Sequence, residues 1–390
     1  MKLRRCGVVF FEPRESVGFD LMSLLAGAAG LSRQTRWLAL APHLDDEVEV
    51  DQGEREVLGA VSPSNWIDMA SVVGYGVSLI DGLLEKGLLI GDTSAHSAMR
   101  ERDDTVRSAY WWPAAAMLHK FCRWKDLDSV ASMEANKLTT APELRDKLGP
   151  PPPEVISRSR LGDDIELPRL AVDEYEKLMA SRTTCRNFDQ ERHLPVDLFS
   201  RMMQRVVMAQ SVVRLQDDTA FLKKNVPSAG GLHPTEVYLV VQRVEGIAPG
   251  LYHYHPVNHA LELISVPSAG LADLARKMLA GQHWFADAHV QLILAPRYAR
   301  SFWKYRLHSK AYRAVTLDVG HISQAIYSSA TQLGLGAFVT SAINDVNIEN
   351  AFGLDPLLEG PLAICGFGWR SKSMVTTEFD PLNEVWSGQR

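Results

Sequence analysis

Cysteine is scarce in this chain: four residues in 390 (Cys6, Cys122, Cys185 and Cys365), far apart and without a C-x-x-C pair. That spacing offers neither a disulfide framework nor a thiolate zinc site, so no metal is expected, and a reducing cytoplasm is the expected compartment. Long apolar runs are also missing. None approaches the roughly 18–20 residues that cross a bilayer, so no membrane association is expected. The basic start at Lys2, Arg4 and Arg5 leads into an apolar run that Glu12 closes too early for a signal peptide. Positive charge is not in excess either, with 41 Lys+Arg against 47 Asp+Glu and a net of −6. Without a general basic field to hold a phosphate backbone, nucleic acid is not an expected partner. Internal repeats are absent.

What is present is ordinary globular composition, 46% hydrophobic and 23% charged, in a length that suits two domains. The composition breaks at residues 139–170, which hold four consecutive prolines, Pro150 to Pro153, and stay polar through Gly162-Asp163-Asp164. A proline run favours an extended, semi-rigid segment and sits in neither a helix nor a central strand. The expected division is an N-terminal domain over 1–140, a Pro-rich linker over 141–169, and a C-terminal domain over 170–390. In the front part, strand-like stretches at 6–11 and 37–41 flank a helical segment near 19–31. Helices at 66–73 and 78–86, with a glycine turn between them and a short strand after them, suggest a winged helix. Its second helix offers only Lys86 as a base beside Asp81 and Glu85, which disfavours DNA as its target. Peptide recognition by strand addition needs no basic face and stays open. The aromatic, basic stretch 111–128 suggests an amphipathic helix docked between the two parts.

The back part mixes helices and strands without regular βαβ alternation, which argues for an α+β fold. Three clusters in it carry candidate chemistry. Arg182-x-Thr184-x-Arg186 places two guanidinium groups and a hydroxyl at alternate positions of an extended turn, where they can face one phosphate. Pro227-Ser228-Ala229-Gly230-Gly231 has adjacent glycines that let backbone approach a flat ligand. Neither a dinucleotide fingerprint nor a P-loop occurs around it. The third cluster is Lys304-Tyr305 with the long helix that follows. On a 3.6-residue period Val315, Val319, Ile322, Ile326 and Leu333 share one face, and Asp318, His321, Gln324 and Ser328 share the other.

Taken together and in order, these residues resemble the nitroreductase-like flavoproteins, and within them the SagB-type dehydrogenases that mature ribosomally made peptides. The resemblance rests on Arg182-x-Thr-x-Arg186-x-Phe188, on Pro227-Ser-Ala-Gly-Gly-Leu-His-Pro-Thr-Glu-Val-Tyr238, and on Pro249-Gly-Leu-Tyr-His-Tyr254. It continues through Lys304-Tyr305, Asp318-x-Gly-His-x-x-Gln324 and Leu333-Gly-Leu-Gly336, covering nearly all of 170–368. It implies a central, mostly antiparallel sheet flanked by helices, and a homodimer with FMN at the subunit interface. Arg182, Thr184 and Arg186 would then bind the FMN phosphate and polar edge. Pro227, Ser228, Ala229, Gly230 and Gly231 would lie along the isoalloxazine. Gln324, Leu335 and Gly336 would contact the cofactor, and Arg370 would add a phosphate contact. Lys304 and Tyr305 stand where azoline dehydrogenases carry their catalytic pair. The front domain resembles leader-peptide recognition domains.

The implied reaction converts a thiazoline or oxazoline to an azole, removing one proton and one hydride from adjacent carbons. Flavin takes the hydride and the protein supplies the base. Sequence leaves open which of Lys304 and Tyr305 acts. Implied partners are a precursor peptide and a cyclodehydratase complex, with oxygen as the electron acceptor. Two other functions stay in view: an NAD(P)H-dependent nitro- or quinone reductase, and a flavin-dependent DNA-binding regulator.

Overall fold

The computed structural model describes residues 1–156, 158, 165–268 and 270–386. The Gly162-Asp163-Asp164 stretch of the expected linker lies outside the described residues. The chain forms two compact units. The first holds Met1–Arg123, Tyr298–Arg313 and Pro356–Leu358; the second holds Trp124–Arg297, Ala314–Asp355 and Glu359–Arg390.

In the first unit β1 (Lys2–Arg5) is the middle strand of a small antiparallel sheet. Next come β2 (Phe10–Phe19), α1 (Leu21–Leu25), β3 (Leu31–Leu40) and β4 (Val48–Glu49). Then follow α2 (Gln52–Ala60), β5 (Ile67–Asp68), a 3₁₀ turn, α3 (Val77–Glu85), β6 (Leu89–Gly91), α4 (Ser97–Ser108) and α5 (Pro113–Phe121). The sheet β5-β1-β6 packs with α2 and α3 around Leu3, Val57, Leu58, Ile80, Leu83 and Ile90, all fully buried. Asp51 begins α2 with a capping box to Glu54.

Three readings of this part need correction. The 19–31 stretch is not one helix. β2 and β3 pair along all ten residues, Phe10 opposite Leu40 to Phe19 opposite Leu31, and only α1 at the tip is helical. Strand pairing satisfies backbone groups that an isolated short helix leaves open. The 66–73 stretch is β5 and a 3₁₀ turn, because pairing with β1 captures Ile67 and Asp68. The 111–128 helix is only α5, opened by Pro113 at its first turn.

Trp111 anchors this unit. Its indole N–H donates to the Leu357 carbonyl at 2.9 Å, and its rings meet Tyr298 at 4.5 Å and Phe302 at 4.8 Å. His119 beside it donates through Nε2 to the Pro356 carbonyl at 2.9 Å, and its Nδ1 pairs with the Tyr312 hydroxyl at 3.2 Å. A buried carboxylate ties the N-terminus down: Asp103 accepts from the Gly7 amide at 2.6 Å and pairs with Arg4 at 3.2 Å and Arg107 at 2.7 Å.

The second unit opens with α6 (Ser129–Ala135), α7 (Ala141–Leu148), α8 (Glu174–Ala180) and α9 (Val196–Val206). α7 lies inside the expected linker, where Thr140 and Glu143 close a capping box and Pro142 sits in the first turn. After α9 comes a hairpin of β7 (Ser211–Gln216) and β8 (Thr219–Lys223), in a stretch that reads from sequence as a polar loop. The main sheet strands are β9 (Thr235–Val241), β10 (Gly250–His255) and β11 (Ala260–Ser265), then, beyond α10 (Leu271–Met278) and α11 (His283–Ala286), β12 (Val290–Pro296). α12 (Tyr298–Phe302) counts with the first unit. α13 (Ala311–Gln332), β13 (Gly336–Thr340), α14 (Asp345–Phe352) and β14 (Ala363–Gly368) complete the element order.

The six-stranded sheet, ordered β11-β10-β9-β12-β14-β13, is antiparallel throughout. Its central strand β12 is buried at every residue and the edge strand β11 is largely exposed. α9 and the apolar face of α13 (Val319, Ile322, Ile326) cover one side of it; α10, α11 and α14 cover the other. At Gly366 a Cβ would collide with the Phe338 ring on β13, so the β13–β14 pairing requires glycine there.

Buried histidines in both units, His43 and His119 in the first and His289 in the second, predict acid sensitivity. Burial lowers His119 to about 3 and His289 to about 4, against about 6.5 unfolded. Between those values the unfolded chain binds protons that the folded chain refuses, so stability falls as pH drops below about 6.5. Each histidine contributes on the order of 1 kcal/mol per pH unit. Urea midpoints recorded from pH 7 to 5 should fall steadily; His119→Gln should reduce the first unit's share of that slope, and His43, also lowered by burial, should keep the remainder.

Candidate functional site

The Arg182–Arg186 segment runs extended against β13. The Cys185 amide donates to the Ala337 carbonyl at 2.8 Å, and Thr184 bridges Ala337 in parallel. Alternation follows: Thr183, Cys185 and Asn187 are buried, while Arg182, Thr184 and Arg186 remain partly open. Gly336 makes the approach possible, since a Cβ there would lie 2.5 Å from Cys185 Sγ. Leu335 and Gly336 are therefore brought beside the arginine segment. Thr184 Oγ1 pairs with the Tyr327 hydroxyl of α13 at 3.0 Å, and the Arg182 guanidinium lies 5.2 Å over the Tyr327 ring.

Arg186 lines a cavity of about 510 Å³ together with Trp284, His283, Ser371 and Lys372. Its wall holds an unmade donor, the buried Trp284 indole N–H, which has no hydrogen-bond partner. Arg370 is committed elsewhere. It pairs with the fully buried Glu378 carboxylate and donates to Thr183 Oγ1 at 3.0 Å, on the opposite side of the segment from Thr184. Glu378 also accepts from the Arg186 amide at 2.6 Å, the Asn187 amide at 3.1 Å and the Trp386 indole at 2.9 Å. Glu378 and Lys372 escaped sequence reading because nothing in a sparse C-terminal tail signals that it folds back on the arginine turn.

The Pro227–Gly231 loop is clamped by α13. Ser228 Oγ donates to Asp318 Oδ2 at 2.5 Å, the Ala229 amide donates to Asp318 Oδ1 at 3.0 Å, and His321 Nδ1 donates to the Pro227 carbonyl at 3.2 Å. Burial raises the Asp318 carboxyl above its ordinary value, against the pull of those donors. Gly230 and Gly231 take positive φ of 63° and 68°, and open space lies above Gly231. Gln324 is exposed on α13 and donates to Ser328 Oγ at 3.3 Å.

From Asp318 to Tyr327 is nine residues, about 13.5 Å of rise and about two and a half turns of helix, a net rotation of about half a turn. The glycine loop and the arginine segment therefore attach to opposite faces of α13. Lys304 and Tyr305 belong to the first unit, in the turn after α12, where both backbone amides donate to the Ser301 carbonyl. Lys304 Nζ lies 5.5 Å over the Tyr305 ring. Among the described residues no helix is long and apolar enough to cross a membrane.

Residues 179–369 match the nitroreductase family. A protein named for the nitroreductases, MJ1384 of Methanocaldococcus jannaschii, is 32% identical over 206 residues, 52% of this chain and 98% of its own length. The trifolitoxin-processing protein TfxB of Rhizobium leguminosarum bv. trifolii is 29% identical, over 44% of this chain and 46% of its own. The microcin B17-processing protein McbC of Escherichia coli is 28% identical, over 39% and 56%. The match thus spans about half the length of those two. Among solved structures, the E. coli microcin synthetase McbBCD complex with truncated pro-MccB17 bound superposes with a TM-score of 0.52 at 19% identity, over 69% of this chain and 94% of that one, a likeness of fold. The chain belongs to the nitroreductase family, and its homology to the trifolitoxin- and microcin-processing proteins is consistent with the SagB-type branch that its motifs resemble.

Proposed function

We propose that this protein is an FMN-dependent dehydrogenase that oxidises azolines to azoles in a precursor peptide. The observation that carries the flavin part is the clamped Pro227–Gly231 loop, which carries two positive-φ glycines with open space above Gly231. The donor set fits the cofactor. Arg182, Thr184 and Arg186 offer charge and a hydroxyl for the phosphate end, and the unpaired Trp284 indole lies in the cavity that Arg186 lines. Arg370, already paired with Glu378, would act by holding the segment rather than by touching phosphate. Bound flavin would accept the hydride.

Attachment of the loop and the arginine segment to opposite faces of α13 supports a two-chain site, one chain supplying the arginines and its copy the glycine loop. Homodimerisation is part of the proposal for that reason. Lys304 and Tyr305 act as the proton-accepting pair, the ammonium lying 5.5 Å over the ring. The processing roles named for TfxB and McbC favour a peptide substrate, and the McbBCD assembly favours a cyclodehydratase partner. The first unit is assigned to precursor recognition.

The purified protein should be yellow and dimeric, and should convert a cyclised precursor peptide to a product lighter by two hydrogens per ring, read by mass spectrometry. Rapid bleaching of the flavin by NAD(P)H with no change in the peptide would instead favour the nitro- or quinone-reductase reading. A colourless protein that FMN cannot reconstitute overturns both.

A further inference from the structure

Lys224 is 5% exposed and, among the described residues, makes no hydrogen bond. A largely buried lysine whose ammonium forms no ion pair with any described residue and feels Glu236 only at longer range is costly to keep charged, which suits a group that gives up and retakes a proton. It stands between two spaces. On one side is a chamber of about 10 Å³ shared with Pro227, Ser228, Thr235 and Asp318, roughly the room of one water molecule. The Thr235 hydroxyl there is buried and without a partner. On the other side is an open cleft of about 370 Å³ shared with Glu236, His253 and Glu359.

Across that cleft runs a line of acids and bases. Glu236 Oε2 lies 3.3 Å from His253 Nε2, and His253 Nδ1 lies 2.8 Å from Glu262 Oε2, whose side chain is 55% exposed. Both imidazole nitrogens thus face a carboxylate, one inward and one outward, the arrangement that lets a ring take a proton on one side and release it on the other.

We propose that Lys224, Glu236 and His253 form a proton path joining the chamber beneath the Pro227–Gly231 loop to solvent, with Glu262 at its outer end. The proposal rests on the reading that this loop borders a flavin. Removing two hydrogens from a substrate sends one away as hydride to flavin and the other as a proton. When dioxygen takes the electron pair and becomes hydrogen peroxide, the two protons it needs come from solvent or from groups in exchange with it. A buried site therefore needs a path for protons, and this line is placed to supply one, with Lys224 and Glu236 sharing the cleft without direct contact.

The surrounding charges suit the task. Burial lowers Lys224, against the pull of Glu236. Burial works against the Glu236 carboxylate, but His253, Arg297 (2.7 Å away) and Lys224 outweigh it and hold it low. The hydrogen bond to Glu236, and that to Glu262, hold His253 above its ordinary value. Burial raises Glu359 against the hydrogen bond from Tyr238, and His233 and His255 complete the titratable lining. Groups with opposed shifts side by side are what a proton-handling cluster requires.

The test is flash photoreduction of the flavoprotein with a pH-indicator dye. His253→Gln should slow proton uptake on the order of tenfold, with recovery on adding imidazole, and Lys224→Met should slow it similarly in a protein of unchanged folding stability. Unchanged uptake in both variants overturns the path. A second measurement does not need flavin: the NMR titration of His253 should have its midpoint above an ordinary histidine and fall in Glu236→Gln. An ordinary midpoint overturns the path even in a yellow protein, whereas a colourless protein that FMN cannot reconstitute overturns the flavin reading, and the path with it, whatever the midpoint.

Discussion

Lys304→Ala should leave a yellow, folded protein whose peptide oxidation, on the proposed role, falls by about 10²–10⁴-fold, the usual contribution of a positioned acid or base. The structure makes this a clean experiment. Lys304 is exposed and Tyr305 half-buried, and the turn that carries them is held by backbone donation to Ser301 and by the burial of Tyr298 and Phe302 beside Trp111. Neither side chain supports the fold, so replacement should change stability by no more than about 0.5 kcal/mol. Tyr305→Phe keeps the ring under the lysine and removes only the hydroxyl. If Tyr305→Phe alone abolishes turnover, the phenol is the base; if Lys304→Ala alone does, the amine is. Turnover near the parent's in both variants rejects the pair as catalytic. Flavin absorbance and unfolding midpoint, recorded on the same samples, separate lost chemistry from lost binding.

Glu378→Ala should destabilise the second unit by about 3–5 kcal/mol, the cost of stranding a buried partner charge. Its carboxylate is fully buried and holds Arg370, two consecutive backbone amides, the Asn187 side chain and the Trp386 indole. Without it the Arg370 side chain keeps one hydrogen bond, to Thr183, and the Arg186–Asn187 amides lose their acceptor. For a unit of this size the thermal midpoint should drop on the order of 10 °C. FMN affinity should fall as well, because the residue that fixes the Arg186 turn is gone. Glu378→Gln retains an acceptor and the shape, so it should recover much of the loss; equal midpoints for parent and Glu378→Ala would show that the C-terminal tail does not clasp the turn.

Local pattern was enough for much of the second unit. The period of α13 gave its buried face, Val315, Val319, Ile322 and Ile326, because a helix against a sheet must bury one stripe. The alternation at Arg182-x-Thr184-x-Arg186 is the alternation observed, since extended backbone sends successive side chains to opposite sides. The β7–β8 hairpin and the outer part of the β2–β3 hairpin were not legible. β7 and the stretches 14–19 and 31–36 are largely exposed and held by pairing with their partner strands, so no hydrophobic period marks them; the base of β2–β3, where Leu38 and Ala39 are buried, did read as strand.

By itself the sequence determined the family, the six apolar strands of an α+β sheet, and the residue types able to hold a phosphate and a flat ring. The family follows from the resemblance of its short motifs and the rest from periodicity and residue type, which are properties of neighbouring residues. Only the tertiary structure decided that the glycine loop hangs from Asp318 on one face of α13 and the arginine segment from Tyr327 on the other. It also decided that Arg370 serves Glu378, that Lys304 and Tyr305 count with the first unit, and that Lys224 lies buried beside a line of acids and bases. Each of those facts joins residues distant in the chain, and such contacts are selected by burial and hydrogen-bond satisfaction across the whole fold.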